Sequence, residues 1–166
     1  MLRLSDLGDL PRPGSGDADF EHFSTECRSR GLEWPSLVLQ QFLFDHGAKA
    51  EFIEQYDHLD LLGLRWSLVA LPTSRLVETT FFCEFADRVL SVASHPHWTL
   101  DQYRQGNGEV WIDTWRVPPI VIRGHLRNPP QTELHLVEGH TRLGVLRGMS
   151  QLREISFESK HQVYLA

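Results

Sequence analysis

Residues 134–143 read LHLVEGHTRL, and how this stretch folds decides how the rest of the chain is read. A short apolar run ends in an acid and a glycine, and His140, Thr141 and Arg142 follow before the pattern turns amphipathic. The spacing predicts a strand ending at Glu138 and a helix over residues 140–149, with Leu143, Leu146 and Met149 inward. The first turn of such a helix carries N–H groups without intrahelical acceptors and the positive end of the macrodipole. Gly139 permits an unusual φ and lets a ligand approach with no Cβ in the way. Thr141 adds a hydroxyl, and Arg142 adds a planar, always-charged fork suited to phosphate oxygens. The corner is either a plain strand-to-helix turn or an anion cradle of the strand–glycine–helix type. Short motifs match by accident often, so the four residues alone favour the plain turn.

Upstream, PPIVIRG at 118–124 gives a second apolar strand, and Asn128-Pro129-Pro130 forms the loop before the strand at 133–138. EVWIDTWRV, residues 109–117, alternates Val110 and Ile112 against Trp111 and Asp113 and reads as a strand after the Asn107-Gly108 turn. Trp111 and Trp115 share a face there and suit core packing better than stacking on a base. Phe81, Phe82, Phe85, Val89, Leu90 and Ala93 recur at helical spacing over 76–93, ending before His95-Pro96. The sequence Thr99-Leu100-Asp101-Gln102 matches a capping box, so a short helix stopped by Gly106 is expected. His95-Pro96-His97 reads as a loop rather than half of a zinc site. LRWSLVAL at 64–71 is a strand candidate, and HQVYLA at 161–166 a last strand. Nearer the start, residues 35–46 and 48–59 form two helices. Pro35 suits the first helical position, and Val38, Leu39, Phe42 and Leu43 make an apolar face.

The expected fold is therefore α+β: short strands interleaved with short helices, with a helical layer toward the N-terminus. Residues 1–20, rich in Gly, Pro, Ser and Asp after position 8, read as a mobile leader. Residues 21–62 form the helical extension and residues 63–166 the strand-bearing domain, the two expected to make one compact unit. The chain has 166 residues, 41% apolar and 23% charged, with a formal charge of −6. That balance argues against non-specific attraction to nucleic acid or to a membrane surface. No apolar run approaches the length of a membrane span, and the start lacks the apolar core of a signal peptide, so a cytoplasmic location is expected. Cys27 and Cys83 fit no metal or redox spacing and read as two buried or half-buried thiols.

The PPIVI strand followed by LHLVEGHTRL resembles, in order, spacing and element type, the core of the ParB/sulfiredoxin superfamily. There a Pro-hydrophobic-Val strand precedes a second strand and a Gly-x-x-Arg turn opening a helix. The likeness covers residues 117–148 well and 64–96 more loosely, and residues 1–60 have no counterpart. It implies a small mixed sheet with flanking helices and a turn that grips nucleotide phosphates. Members include CTP-dependent partition proteins, ATP-dependent sulfiredoxins and free-serine kinases, and others are described as DNA nucleases. Sulfiredoxins place a catalytic cysteine directly after the motif glycine, where this chain has His140. The partition proteins carry Gly-Glu-Arg-Arg and a later Glu-Asn-x-Gln-Arg, and neither occurs here. Glu138-Gly139-His140-Thr141-Arg142 is most similar to the acid-Gly-His-Thr-Arg turn of the serine-kinase branch.

The resemblance implies ATP or CTP with Mg²⁺ as ligands, held by Gly139, His140, Thr141 and Arg142. Glu138 would serve as Mg²⁺ ligand or catalytic acid, with Glu78 as a second catalytic acid and Glu84 in the same region. Plainer readings stand beside these: a surface ion pair for Glu138 and a solvent-facing ring for His140. Arg123, Arg127, Arg142 and Arg147 give the C-terminal half a local basic excess. The functions left open are a Mg²⁺-dependent phosphotransferase or nucleotide hydrolase and a non-catalytic nucleotide sensor or protein-interaction module. In the latter the N-terminal helices would meet a protein partner. A nuclease is disfavoured by the negative charge.

Overall fold

The computed structural model describes residues 1–10, 17–107 and 115–166. The chain divides into two compact units. One comprises Met1–Trp66, His125–Gln131 and Ala166; the other comprises Ser67–Gly124 and Thr132–Leu165.

The first unit is helical: α1 spans Asp17–Ser29, α2 spans Ser36–Val38, and α3 spans Ala50–Tyr56. Pro35 stands at the N-cap of α2, which passes straight into a π-helical segment over Leu39–Phe44. The apolar face predicted there is buried at Val38, Leu39, Phe42 and Leu43. Phe42 is the hub, with ring centroids 5.6 Å from Trp34, 5.1 Å from Phe52, 5.5 Å from Tyr56 and 5.9 Å from Trp66. The leader expected over residues 1–20 is packed over its first ten. Leu4, Leu7 and Leu10 are buried around a 3₁₀ turn at Ser5–Leu7. Leucines every third residue match the 3₁₀ period, a signal that the flanking Gly, Pro and Asp residues obscure. The Leu2 and Ser5 N–H groups donate to Asp60 and Asp57 at 3.0 and 2.8 Å and tie the segment down.

The second unit carries a four-stranded mixed sheet of β1 (Ser67–Pro72), β2 (Ile120–Arg123), β3 (Leu134–Glu138) and β4 (Lys160–Leu165). The order is β1-β4-β2-β3; β4 runs antiparallel to β1 and parallel to β2, and β3 runs antiparallel to β2. Ile120, Val121 and Ile122 are fully buried, as an interior strand covered on both faces requires. The helices are α4 (Thr73–Val77), α5 (Ala86–Ser94), α6 (Pro96–Asn107) and α7 (His140–Gln151). Leu76, Trp115, Val121, Leu136, Leu143, Leu146, Val163 and Leu165 form the core between sheet and helices. The α+β class follows, with a mixed sheet flanked by helices.

Several expectations change. The single helix over 76–93 is two helices, because Thr80 leaves the helical path to bridge His135 on the free edge of β3. Its N–H donates to Leu134 O and its carbonyl accepts from Leu136 N–H, each at 2.8 Å. The aromatic recurrence thus mixed a strand-like link, a 3₁₀ turn at Cys83–Phe85 and α5. The capping box at Thr99 does not cap. The helix starts at Pro96, and the Thr99 hydroxyl donates back to His95 O at 3.2 Å within it. His95 therefore marks a helix–helix junction, with His97 inside α6, rather than a loop. Helix α6 also runs through Gly106 to Asn107. The strand expected over 109–117 falls largely outside the described residues, and Trp115–Val117 are not in a strand. Cys83 is exposed, while Cys27 is buried as expected.

Candidate functional site

The corner between β3 and α7 is built by Gly139, which has φ +109° and opens the twelve-residue α7. Two features require glycine there. The left-handed backbone disfavours a side chain, and a Cβ would lie 2.8 Å from Pro119 Cβ and 3.1 Å from Arg142 Nε. Arg142, on the first turn of α7, thus folds its guanidinium back over the glycine. Its Nη2 stands 4.0 Å from Glu138 Oε1 on the other side of the corner, with both side chains roughly one quarter exposed. Gly139 offers no side chain to cap the helix, and the first intrahelical bond runs from Leu143 N–H to Gly139 O at 2.9 Å. Helix geometry therefore directs the N–H groups of the first turn outward at the corner.

Thr141 is gripped from a second helix. Arg88 of α5 donates to its hydroxyl from Nε at 3.1 Å and from Nη2 at 2.7 Å. His140 faces the other way: it is 5% exposed, stacks on Phe85 at 3.8 Å and meets Phe81 edge-on at 6.1 Å. The solvent-facing ring considered from the sequence is not found. The imidazole is packed against aromatics, so at the corner this residue presents its backbone.

Other predicted residues fall elsewhere. Glu78 is exposed at the C-cap of α4, and no hydrogen bond or ion pair links it to the corner among the described residues. Glu84 is exposed in the 3₁₀ turn before α5. Arg147 is structural: its Nε and Nη2 donate to Val77 O and Thr79 O at 3.0 and 2.9 Å, and its guanidinium lies over Phe81. Burial lowers its pKa from the ordinary arginine value. It covers carbonyls at the end of α4 and does not add to a basic surface. Arg123 is exposed on β2, and Arg127 belongs to the other compact unit. The sequence missed Arg88, since nothing in the pattern of α5 marks it before α5 is known to pack on α7.

The histidines do not gather. His135 on β3 pairs its Nδ1 with the Thr80 hydroxyl at 3.1 Å, and His161 on β4 pairs its Nε2 with Thr73 at 3.0 Å; β2 lies between the two strands. His97 pairs with Glu154 at 3.0 Å, and His95 Nδ1 is 3.3 Å from Ser91 O. Among the described residues no three His, Cys, Asp or Glu side chains group to hold a metal ion. A single carboxylate such as Glu138 still fits Mg²⁺, which commonly takes one or two protein carboxylates beside phosphate oxygens and water. A half-open cleft of about 310 Å³ between α5 and α6 is lined by Ser91, Val92, His95, Trp98 and Thr99, none of them a corner residue. No described helix is long and apolar enough to cross a membrane.

No protein-family model, curated protein or solved structure matches the chain.

Proposed function

We propose that the protein binds a nucleotide by its phosphates at the Gly139–Arg142 corner. One observation carries the reading: Arg142 is folded over a left-handed glycine at the N-terminus of a full-length helix. That arrangement combines outward N–H groups, the positive dipole end and a guanidinium on one side of a turn with no Cβ in the way. The resemblance to the ParB/sulfiredoxin superfamily supports the same reading, and ATP or CTP with Mg²⁺ are the ligands it suggests. Glu138, next to the glycine, is the residue to share Mg²⁺ with the phosphates.

Phosphoryl transfer depends mainly on positioning and charge neutralisation, which this corner could supply to a phosphotransferase or nucleotide hydrolase. Its acid would be Glu138 rather than Glu78, which stands exposed at the end of α4. The second reading is a nucleotide-sensing module without turnover, favoured by the packing of His140 into the aromatic pair instead of toward a reacting group. Calorimetric titration with ATP and CTP, with and without Mg²⁺, tests the binding. Wild type should bind, and Arg142→Ala should weaken binding about tenfold or more, as the loss of a charge-assisted contact predicts. No binding to wild type, or equal binding to the variant, removes the proposal. Metal-dependent turnover lost in Glu138→Gln would select the enzyme, and binding without turnover would select the sensor.

A further inference from the structure

Arg88 occupies a place that packing and pairing do not explain. Its guanidinium is exposed, yet two of its donors converge on one neutral acceptor, the Thr141 hydroxyl. No described carboxylate lies within ion-pair distance of it; Glu138, the acid of the corner, stands against Arg142 instead. Thr141 is on the first turn of α7, so Arg88 brings a positive charge to the positive end of a helix. For stability alone that is the wrong end, since cations are favoured at helix C-termini and anions at N-termini. A second cation there becomes favourable when an anion stands between it and the helix.

Resting on the nucleotide reading above, we infer that Arg88 is a specificity-determining residue that selects ligands with two or more phosphates. Arg142 lies over Gly139 and Arg88 is held at Thr141, so the two guanidiniums approach the first turn from different elements, α7 itself and α5. One phosphate group can satisfy Arg142 and the helix N–H groups. The further charge of a di- or triphosphate gives Arg88 a doubly charged partner in place of a neutral hydroxyl, and charge-assisted contacts are about twice as strong as neutral ones. Thr141 then serves as the resting place of the Arg88 fork, which turns from the hydroxyl to the outer phosphate when the ligand enters.

The test compares adenosine triphosphate and monophosphate by calorimetry on full-length wild type, Arg88→Ala, Arg88→Lys and Thr141→Val. Wild type should prefer the triphosphate. Arg88→Ala should weaken triphosphate binding about tenfold, the effect of one lost charge-assisted contact, and leave monophosphate binding unchanged. Arg88→Lys should restore part of the preference, because it keeps the charge and loses the fork. Thr141→Val removes a hydroxyl of the phosphate-binding turn as well as the resting contact of Arg88, so it should weaken both ligands while the triphosphate stays preferred. If Arg88 acts only as a clip on α7, Arg88→Ala will weaken both ligands alike, and the inference fails while the nucleotide reading stands. Unchanged triphosphate binding in Arg88→Ala overturns it equally. Absence of binding to wild type overturns both. Near-ultraviolet circular dichroism of each variant identifies any that has lost its packing, and Arg88→Lys then carries the comparison.

Discussion

At the scale of single residues, the corner was the most legible part of the molecule, because its chemistry is local. A glycine between an apolar strand and an amphipathic helix already required a special backbone, and Gly139 has one at φ +109°. What the sequence could not give is direction. His140 and Arg142 are two positions apart, yet one ring packs on Phe85 while the other side chain folds over the glycine. That choice depends on Phe81 and Phe85, more than fifty residues earlier. The buried histidines were illegible for the same reason, and His161 shows the consequence. It is fully buried beside Trp115 and Thr73, and burial pushes its pKa below the ordinary value. A depressed histidine pKa means the unfolded chain binds the proton more readily than the folded one. Its contribution to stability is therefore complete above the unfolded value of about 6.5 and is lost as the pH falls through and below it. We expect the melting temperature to drop between pH 7.5 and pH 5, and His161→Asn, which cannot gain a proton, to flatten part of that drop. An identical pH profile for the variant would show that His161 is not a source of the acid sensitivity.

At the scale of elements, strands were easier to recognise than helix boundaries. β2 and β3 appear where apolar runs are fenced by Pro, Asn and Gly, and β4 where the closing residues alternate, because such runs can be buried whichever strands lie beside them. The helices before the sheet were misread where tertiary pairing overrode periodicity: Thr80 pairs with β3 and cuts one expected helix in two. The closest helix contact was also silent. Gly144 and Gly148, one turn apart on α7, let α5 and the start of α6 approach so nearly that added methyl groups would collide. A Cβ on Gly144 would meet Val92 at 2.8 Å and Val89 O at 3.0 Å, and one on Gly148 would run into Ala93 O and Pro96. Alanine is ordinarily the better helix former by about 1 kcal/mol. Here we expect the opposite sign, with each Gly→Ala substitution costing about 1–3 kcal/mol through overpacking. Gly148→Ala should be the worse, because its backbone carbonyl obstacle, Ala93 O, stands nearer than Val89 O does to Gly144. Urea titration of both variants measures this; a stabilised Gly148→Ala would mean that α7 stands farther from α5 and α6 than described. The same packing holds Arg88 beside Thr141, so the cost at Gly144 bears on the candidate site as well as on stability.

At the scale of the whole molecule, the division into two compact units assigns the candidate chemistry to one of them. Arg88, Pro119 and the corner from Glu138 to Arg142 all lie in the unit made of Ser67–Gly124 and Thr132–Leu165. The helical unit, with its aromatic hub at Phe42, holds none of them. Whereas the chain divides in two, the opening run of the first unit ending at Trp66, the sequence ended the helical extension near residue 62 and joined it to the strands in one compact unit. It did not reveal that His125–Gln131 joins the helical unit, where His58 Nε2 meets Leu126 O at 2.8 Å, since such a pairing leaves no periodic trace. This partition makes a prediction about where a ligand is felt. A nucleotide that binds only the folded state stabilises it by about 2.7 kcal/mol at a hundredfold excess over its dissociation constant. Amide exchange slows where opening exposes the bound surface, because the ligand adds to the free energy of that opening. With ATP and Mg²⁺ at saturation, we expect added protection in residues 86–94 and 138–146, which carry Arg88 and the corner. Residues 17–56 should keep their exchange rates. Protection confined to residues 17–56 would place the binding surface on the helical unit and remove the corner as its site. Protection of both segments together would instead mean that the two units open as one.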